Sequence, residues 1–161
     1  MDTIQIRAIQ SADNKAIASI IRDTFREFGL DRPGTAYFDT SLDDMYTAFQ
    51  ATGSRYHVGI IGEEIAGGGG IFPSPGLPEG ACELVKMYLG AAARGKGLGW
   101  QLIEQCLAFA REYGYRQVYL ETFPELQKAM SIYEKHGFYY LDGPMGNTGH
   151  YGCSIWMLKN L

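Results

Sequence analysis

The stretch from Ala81 to Ala110 does more than any other to limit what this chain can fold into. Glu83 to Leu89 alternates in polarity and is rich in residues that suit a pleated surface, which predicts a strand. After a short Gly-Ala connection comes Arg94-Gly95-Lys96-Gly97-Leu98-Gly99, with glycine at every second position and two cations among them. Then Leu98, Leu102, Ile103, Cys106, Leu107 and Ala110 recur at three- and four-residue steps, the apolar stripe of a helix. A helix start aims unpaired N–H groups and a positive dipole end at the turn before it, and glycines leave that backbone uncovered. Alone, the glycines mean only a tight turn and a close helix–strand contact. With the strand, the helix and the cations, they predict an anion site suited to phosphate.

Two familiar phosphate motifs are excluded. Gly-x-x-x-x-Gly-Lys-Ser/Thr occurs nowhere, and the dinucleotide pattern Gly-x-Gly-x-x-Gly fails because Trp100 or Leu102 stands at the third glycine. The rest of the chain supplies the context. Ile4, Ile6 and Ala8 alternate as a strand, and Ser11 or Asp13 caps a helix carrying Ile17, Ile20, Ile21, Phe25 and Phe28 and ended by Gly29. A loop with Arg32-Pro33-Gly34 leads to a second short helix starting at Thr40 or Ser41, with Leu42, Met45, Tyr46 and Phe49 on its apolar face. Tyr56–Ile61 and Ile65–Phe72 form a hairpin. Gly67 to Gly70 within it mark either a bulge with close backbone approach or a floor cleared for a ligand. Pro73 to Gly80 is an extended surface connection. Beyond the central unit, Gln117–Thr122 is a strand parallel to the first, Glu125 to Lys135 a helix, and Phe138–Leu141 and Cys153–Leu158 are strands around the turn-rich loop Gly143 to Gly152.

The turn Arg94-x-x-Gly97-x-Gly99 resembles the acyl-CoA signature of the GNAT superfamily of N-acetyltransferases. Ala129-x-x-Ile132-Tyr133-Glu134-Lys135-x-Gly137-Phe138 resembles the late signature of the same family, and the element order matches over nearly the whole chain. The resemblance implies an α/β fold, a mixed central sheet of six to seven strands flanked by about four helices, in one domain over residues 1–161. It implies acetyl-CoA as donor, leaving coenzyme A. The pyrophosphate then falls to Arg94, Gly95, Lys96, Gly97, Leu98 and Gly99, and the pantetheine arm to backbone groups of Met87, Tyr88 and Leu89. Tyr133 matches the general acid for the leaving thiolate. Glu83 is the best match for the base and Glu121 the second candidate, against a solvated strand end or an ion pair with Lys86 for either. Two positions depart from the family pattern: Ala91 where many members have proline, and Leu126 where many have asparagine.

Composition narrows the function classes. A net charge of −4 argues against a nucleic-acid surface, and no apolar run reaches membrane-spanning length. Cys82, Cys106 and Cys153 have no metal-like spacing and are expected as buried thiols in a reducing compartment, hence a cytoplasmic protein. No metal cluster and no Gly-x-Ser-x-Gly nucleophile occurs, so the amine is expected to attack directly. His57 falls in a strand and His136 near a helix end. His150 either lines an acceptor pocket with Tyr151 or is a solvated loop residue. The expected acceptor is a primary amine of a small molecule. A protein lysine or N-terminus, and a non-catalytic acyl-CoA sensor, are the alternatives. A pocket closed by the Arg32 loop and the Gly143–Gly152 loop favours a metabolite; a long acidic groove favours a peptide. Exposed strand edges suggest a homodimer.

Overall fold

Alternating apolar residues build seven strands into one mixed sheet. The computed structural model describes residues 3–161. Strands β1 (Ile4–Ala8), β2 (Arg55–Ile61), β3 (Glu64–Phe72), β4 (Ala81–Leu89), β5 (Gln117–Thr122), β6 (Tyr139–Leu141) and β7 (Ile155–Asn160) lie in the order β1-β2-β3-β4-β5-β7-β6. Only β4 and β5 are parallel, as a strand–helix–strand crossover requires, and every other pair is antiparallel. Helices α1 (Asn14–Glu27) and α2 (Met45–Ala48) cover one face, burying Ile17, Ile21, Phe25 and Met45 against Tyr56 and Val58. Helices α3 (Leu98–Tyr113) and α4 (Gln127–Lys135) cover the other, where Ile103, Cys106, Leu107 and Ala110 meet Cys82, Leu84, Val118 and Leu120.

Several boundaries differ from expectation for identifiable reasons. The second short helix begins as a 3-10 segment, Thr40–Asp44, and becomes α-helical only where the Asp44 carboxylate accepts the Thr47 N–H at 3.2 Å. The last strand starts at Ile155, not Cys153, because Cys153 N–H closes a turn onto His150 O at 3.1 Å. Cys153 is therefore only half-buried, unlike Cys82 and Cys106.

The four glycines of β3 are a close-approach device, not a cleared floor. A Cβ at Gly68 or Gly70 would fall within 2.5 or 2.8 Å of the Tyr56 ring, and one at Gly69 within 2.1 Å of Met87. Tyr56 thus lies flat across β3, and its hydroxyl donates to Lys86 O at 2.8 Å. That carbonyl sits in a bulge. Val85 pairs with Gly70 and Tyr88 with Gly68, so Lys86 and Met87 both face Gly69. Lys86 takes φ +51°, the one non-glycine residue with positive φ among those described.

Asp13 does not cap α1 with its side chain. Its buried carboxylate accepts two bonds from Arg7, at 2.7 and 3.0 Å, and the Gln10 N–H at 2.7 Å, tying β1 to the start of the helix. The Arg7 hydrogen bonds hold that carboxyl below the usual range against the opposing effect of burial. Asp13→Ala is expected to cost about 2 kcal/mol, less than for a fully buried pair because Arg7 can regain water. Urea denaturation measures it. The contribution is full above the ordinary carboxylate pKa and disappears as pH falls through the depressed one.

Candidate functional site

The parallel ladder between β4 and β5 is short: Ala81 pairs with Gln117, Cys82 with Val118 and Glu83 with Tyr119, and there it stops. Beyond Glu83, β4 continues to Leu89 beside β3, while β5 continues to Thr122 beside β7. The strands splay, and the β4 edge from Leu84 to Leu89 is left without a strand partner on that side. Unpaired backbone N–H and C=O groups on such an edge can take an extended ligand as an added strand. The side chains of Met87, Tyr88 and Leu89 pack elsewhere: Met87 on Gly69, Tyr88 edge-on to Phe25 at 5.1 Å, Leu89 against Gly67 and Gly99. Met87 and Leu89 therefore offer that edge only backbone, whereas the buried Tyr88 phenol, raised chiefly by burial, also feels Tyr133, Cys153 and Asp39.

At the end of β4 lies the glycine turn. Gly95 and Gly97 have φ of +78° and +86°, and a Cβ at either would meet nothing within 4 Å, so both turn an open backbone outward. Gly97 is the N-cap of α3, with no side-chain cap bond. The first N–H groups of a 16-residue helix are thus left for a ligand. Leu98 is fully buried on Gly59, and Gly99 fits between Leu89 and Ile132. The two cations divide. Arg94 bonds Glu27 at 2.6 Å and Leu89 O at 3.1 Å and lies over the Phe28 ring, tying the turn to α1 and β4. Lys96 is exposed and remains open at the turn.

On the α1–α2 face, at the fork of the strands, the chain gathers charge. Glu83 is only 4% exposed, and one of its oxygens accepts the Ser74 hydroxyl. Burial pushes its carboxyl up to about 7, with the Glu121 charge adding to the rise and Ser74, His150 and Lys86 opposing it. Glu121 accepts from Tyr119 at 2.7 Å and from Thr148 at 2.6 Å, one bond to each oxygen. The second Glu83 oxygen makes no hydrogen bond among the described residues. The sole sealed, unpaired side-chain polar atom there is His136 Nε2, so this oxygen is not sealed from solvent. The same holds for the hydroxyl of Tyr133, a residue in the α4 packing edge-on to Phe138. Burial raises that phenol, so it stays protonated and can donate. Glu83 and Tyr133 thus each keep an oxygen without a hydrogen-bond partner among the described residues.

Sequence reasoning missed the partner of Lys86. It pairs not with a glutamate but with Asp39, at 2.9 Å, and His150 Nε2 meets the same carboxylate at 2.9 Å. Burial works against the Asp39 charge, but the His150 hydrogen bond and Lys86 outweigh it and hold the carboxyl below its usual range. The Asp39 bond raises His150. His150 is thus a bound residue and not a solvated one. Tyr151 beside it is 80% exposed, with its ring against Gly34. Cys153 at the same place is pushed up to about 12 by burial and by Glu121, Glu83 and Asp39, so it is a thiol and not a nucleophile. His57 is buried beside Cys106 and pushed down to about 4. Among the described residues no group of three His, Cys, Asp or Glu can hold a metal, and no helix is long and apolar enough to cross a membrane.

The family model for the acetyltransferase (GNAT) family matches residues 14–138. The uncharacterized N-acetyltransferase YjgM of Escherichia coli K12 is 40% identical over 157 residues, 97% of this chain and 94% of that protein. Among solved structures, an acetyltransferase of the GNAT family from Staphylococcus aureus Mu50 has the same fold, with a TM-score of 0.87 at 18% identity, covering 98% of this chain and 99% of that one. A phosphinothricin acetyltransferase from Sinorhizobium meliloti, crystallised with acetyl-CoA, gives 0.76 at 19% identity over 99% and 89% of the two chains.

Carbon-13 spectra of glutamate-labelled protein should show one carboxyl titrating near pH 7 and missing in Glu83→Gln. Ser74→Ala, which removes a hydrogen bond to the charged form, should move that midpoint upward.

Proposed function

The chain belongs to the GNAT family of acetyltransferases, and from that premise we propose that it moves the acetyl group of acetyl-CoA to the primary amine of a small molecule. N-acetyl transfer with acetyl-CoA as donor comes with the family; the acceptor class and the residue roles are the proposal. What carries it is closure over Glu83. The loop after α1 and the loop before β7 meet through Gly152 N–H to Gly34 O at 2.7 Å and His150 to Asp39 at 2.9 Å. A bridge across the mouth suits a compact acceptor better than a through-running peptide.

The thioester supplies an activated acetyl group. Open N–H groups of Gly95 to Gly99, with the Lys96 charge, suit its pyrophosphate, and the β4 edge at Met87, Tyr88 and Leu89, which lacks a strand partner on that side though the Leu89 carbonyl accepts from Arg94, suits its amide-bearing arm. Arg94 acts in this proposal by fixing the turn to Glu27 and Leu89.

An amine of pKa about 10.4 arrives as ammonium and must lose a proton before it can attack. Glu83 takes that proton. A carboxyl near 7 is a far better base than an ordinary one while still ionised in useful amount at neutral pH. Glu121, with both oxygens occupied by hydroxyl donors, holds the ammonium by charge. The amine nitrogen bonds to the carbonyl carbon, and an N–H of the open β4 edge stabilises the oxyanion. As the C–S bond breaks, the attached nitrogen releases its second proton to solvent, and the Tyr133 hydroxyl donates its proton to the leaving sulfur and regains one from solvent.

Glu83→Gln should lower kcat/KM about 100-fold and erase the acid limb near pH 7, and Tyr133→Phe should lower kcat by a similar factor. Acetyl-CoA affinity should survive both. Gly97→Glu should weaken acetyl-CoA binding at least about tenfold by calorimetry, with the fold intact by circular dichroism. Turnover on small primary amines is the expected outcome. Acetylation of peptides alone, or acetyl-CoA binding with no turnover on any amine, would reject the reading.

A further inference from the structure

Asp39 has already engaged both cations inside the acceptor cluster, Lys86 and His150, while Glu83 has no ion-pair contact and Glu121 meets only His150, at 3.9 Å. An acceptor that carries a carboxylate beside its amine finds no open cation at that depth. One stands farther out. Arg32 lies on the turn from Leu30 to Thr35, which is fixed from both sides. Its own N–H donates to Leu30 O at 2.8 Å, and Thr35 Oγ1 donates to Arg32 O at 2.8 Å. Leu30 and Thr35 are both buried.

The turn is rigid, yet the guanidinium makes no hydrogen bond among the described residues. Its sole ionic contact is Glu125 at 3.8 Å, with the two side chains 48% and 38% exposed, a pair of the kind worth little. The head rests 5.8 Å from the centroid of the Phe123 ring. Phe123 is buried two residues beyond Glu121, and Cys153 packs against the cluster that contains it. The Cys153 thiol lies within electrostatic reach of Glu121, Glu83, Asp39 and Arg32 together, and the Gly152 N–H to Gly34 O bond joins the Arg32 turn to the loop that carries His150.

We propose that Arg32 is a specificity residue of the acceptor site, and that the acceptor is an amine bearing a carboxylate, which the guanidinium holds at the mouth while the amine reaches Glu83. The inference rests on the small-molecule reading above. A guanidinium is suited to this work because its planar fork meets a carboxylate with two parallel N–H bonds, and the Phe123 ring gives its head an aromatic surface to rest near. Glu125, exposed and loosely paired, is readily displaced. Charge then runs in opposite senses along the pocket, acidic at the reacting end and basic at the entrance. A zwitterionic amino acid matches that pattern and a simple amine does not.

The test is kcat/KM for matched pairs of acceptors: amino acids whose carboxylate stands one to three carbons from the amine, each against the same amine without the carboxylate. The wild-type protein is expected to favour the carboxylate partner at least tenfold in one or more pairs. Arg32→Ala should bring that ratio close to one through KM, Arg32→Lys should restore part of it, and Arg32→Glu should invert it. Melting temperature and acetyl-CoA affinity should stay at wild-type values in all three variants, which separates specificity from a packing role over Phe123. Amines acetylated without discrimination, or discrimination that survives Arg32→Ala, would overturn the role of Arg32 and leave the small-molecule reading standing. Acetylation of peptides alone would overturn both.

Discussion

Everything in the site depends on a parallel ladder that runs for three residue pairs and then stops. As long as β4 and β5 are bonded, from Ala81 to Glu83, the sheet is continuous and its core is closed. One residue later the backbone of β4 loses its partner on one side. An unpaired, shielded edge is costly unless something else satisfies it, and here the bulge at Lys86 makes the divergence permanent. The extra residue bends the strand, and the Tyr56 hydroxyl holds its carbonyl. Gly68 and Gly70 are glycine because Tyr56 must cross them to reach that carbonyl. A strip of glycines in β3 is thus the structural cost of an opening between β4 and β5.

The opening separates two electrostatic tasks. On one side of the fork, the α3 turn is built from positive φ angles, free N–H groups and Lys96, and attracts negative charge. On the other, three carboxylates outnumber the Lys86 ammonium and His150. Asp39 is the carboxylate that both cations satisfy; it serves structure, joining the α1–α2 loop, the β4 bulge and the β6–β7 loop. Glu83 and Glu121 lack a charged partner in hydrogen-bond contact. Burial first, and then the Glu121 charge, lifts Glu83 toward neutrality. A basic carboxylate is produced here by burying it without a cation in direct contact.

How far the sequence showed this depended on the distance along the chain over which each feature is determined. The β4–turn–α3 unit was legible because strand alternation, glycine spacing and helical stripe are local, and it came out nearly residue for residue. Tyr133 was singled out by its place in the late signature, and Glu83 by its family position on the strand before the glycine turn. The Asp39–His150 contact spans 111 residues and Arg94–Glu27 spans 67, and no periodicity encodes either. Lys86 carried no turn signal at all, since lysine is not a residue expected at φ +51°. Ser74 looked like part of a Pro-rich surface connection, and only the folded chain brings its hydroxyl to Glu83. For Gly67 to Gly70 the composition was plain and the purpose ambiguous, because a glycine makes room equally for a ligand or for a neighbour. Tyr56 and Met87 decide it.

The two titrating groups at the fork also set limits on each other. In the proposed role of base Glu83 acts only when ionised, so its usefulness rises with pH through about 7. His150 has a raised pKa because Asp39 favours its charged form. The ion pair across the mouth is therefore at full strength below that pKa and relaxes to a plain hydrogen bond as pH climbs through it. One ionisation prepares the base and the other loosens the bridge that encloses it. The groups that share the space, Lys86, Asp39, Glu121 and Arg32, keep the two coupled, because the His150 charge itself holds the Glu83 carboxyl down. Losing that charge removes a favourable neighbour from Glu83 carboxylate. It makes the base somewhat stronger at the pH where the mouth loosens. The two ionisations are thus coupled, with Asp39 carrying the coupling through the two cations it binds.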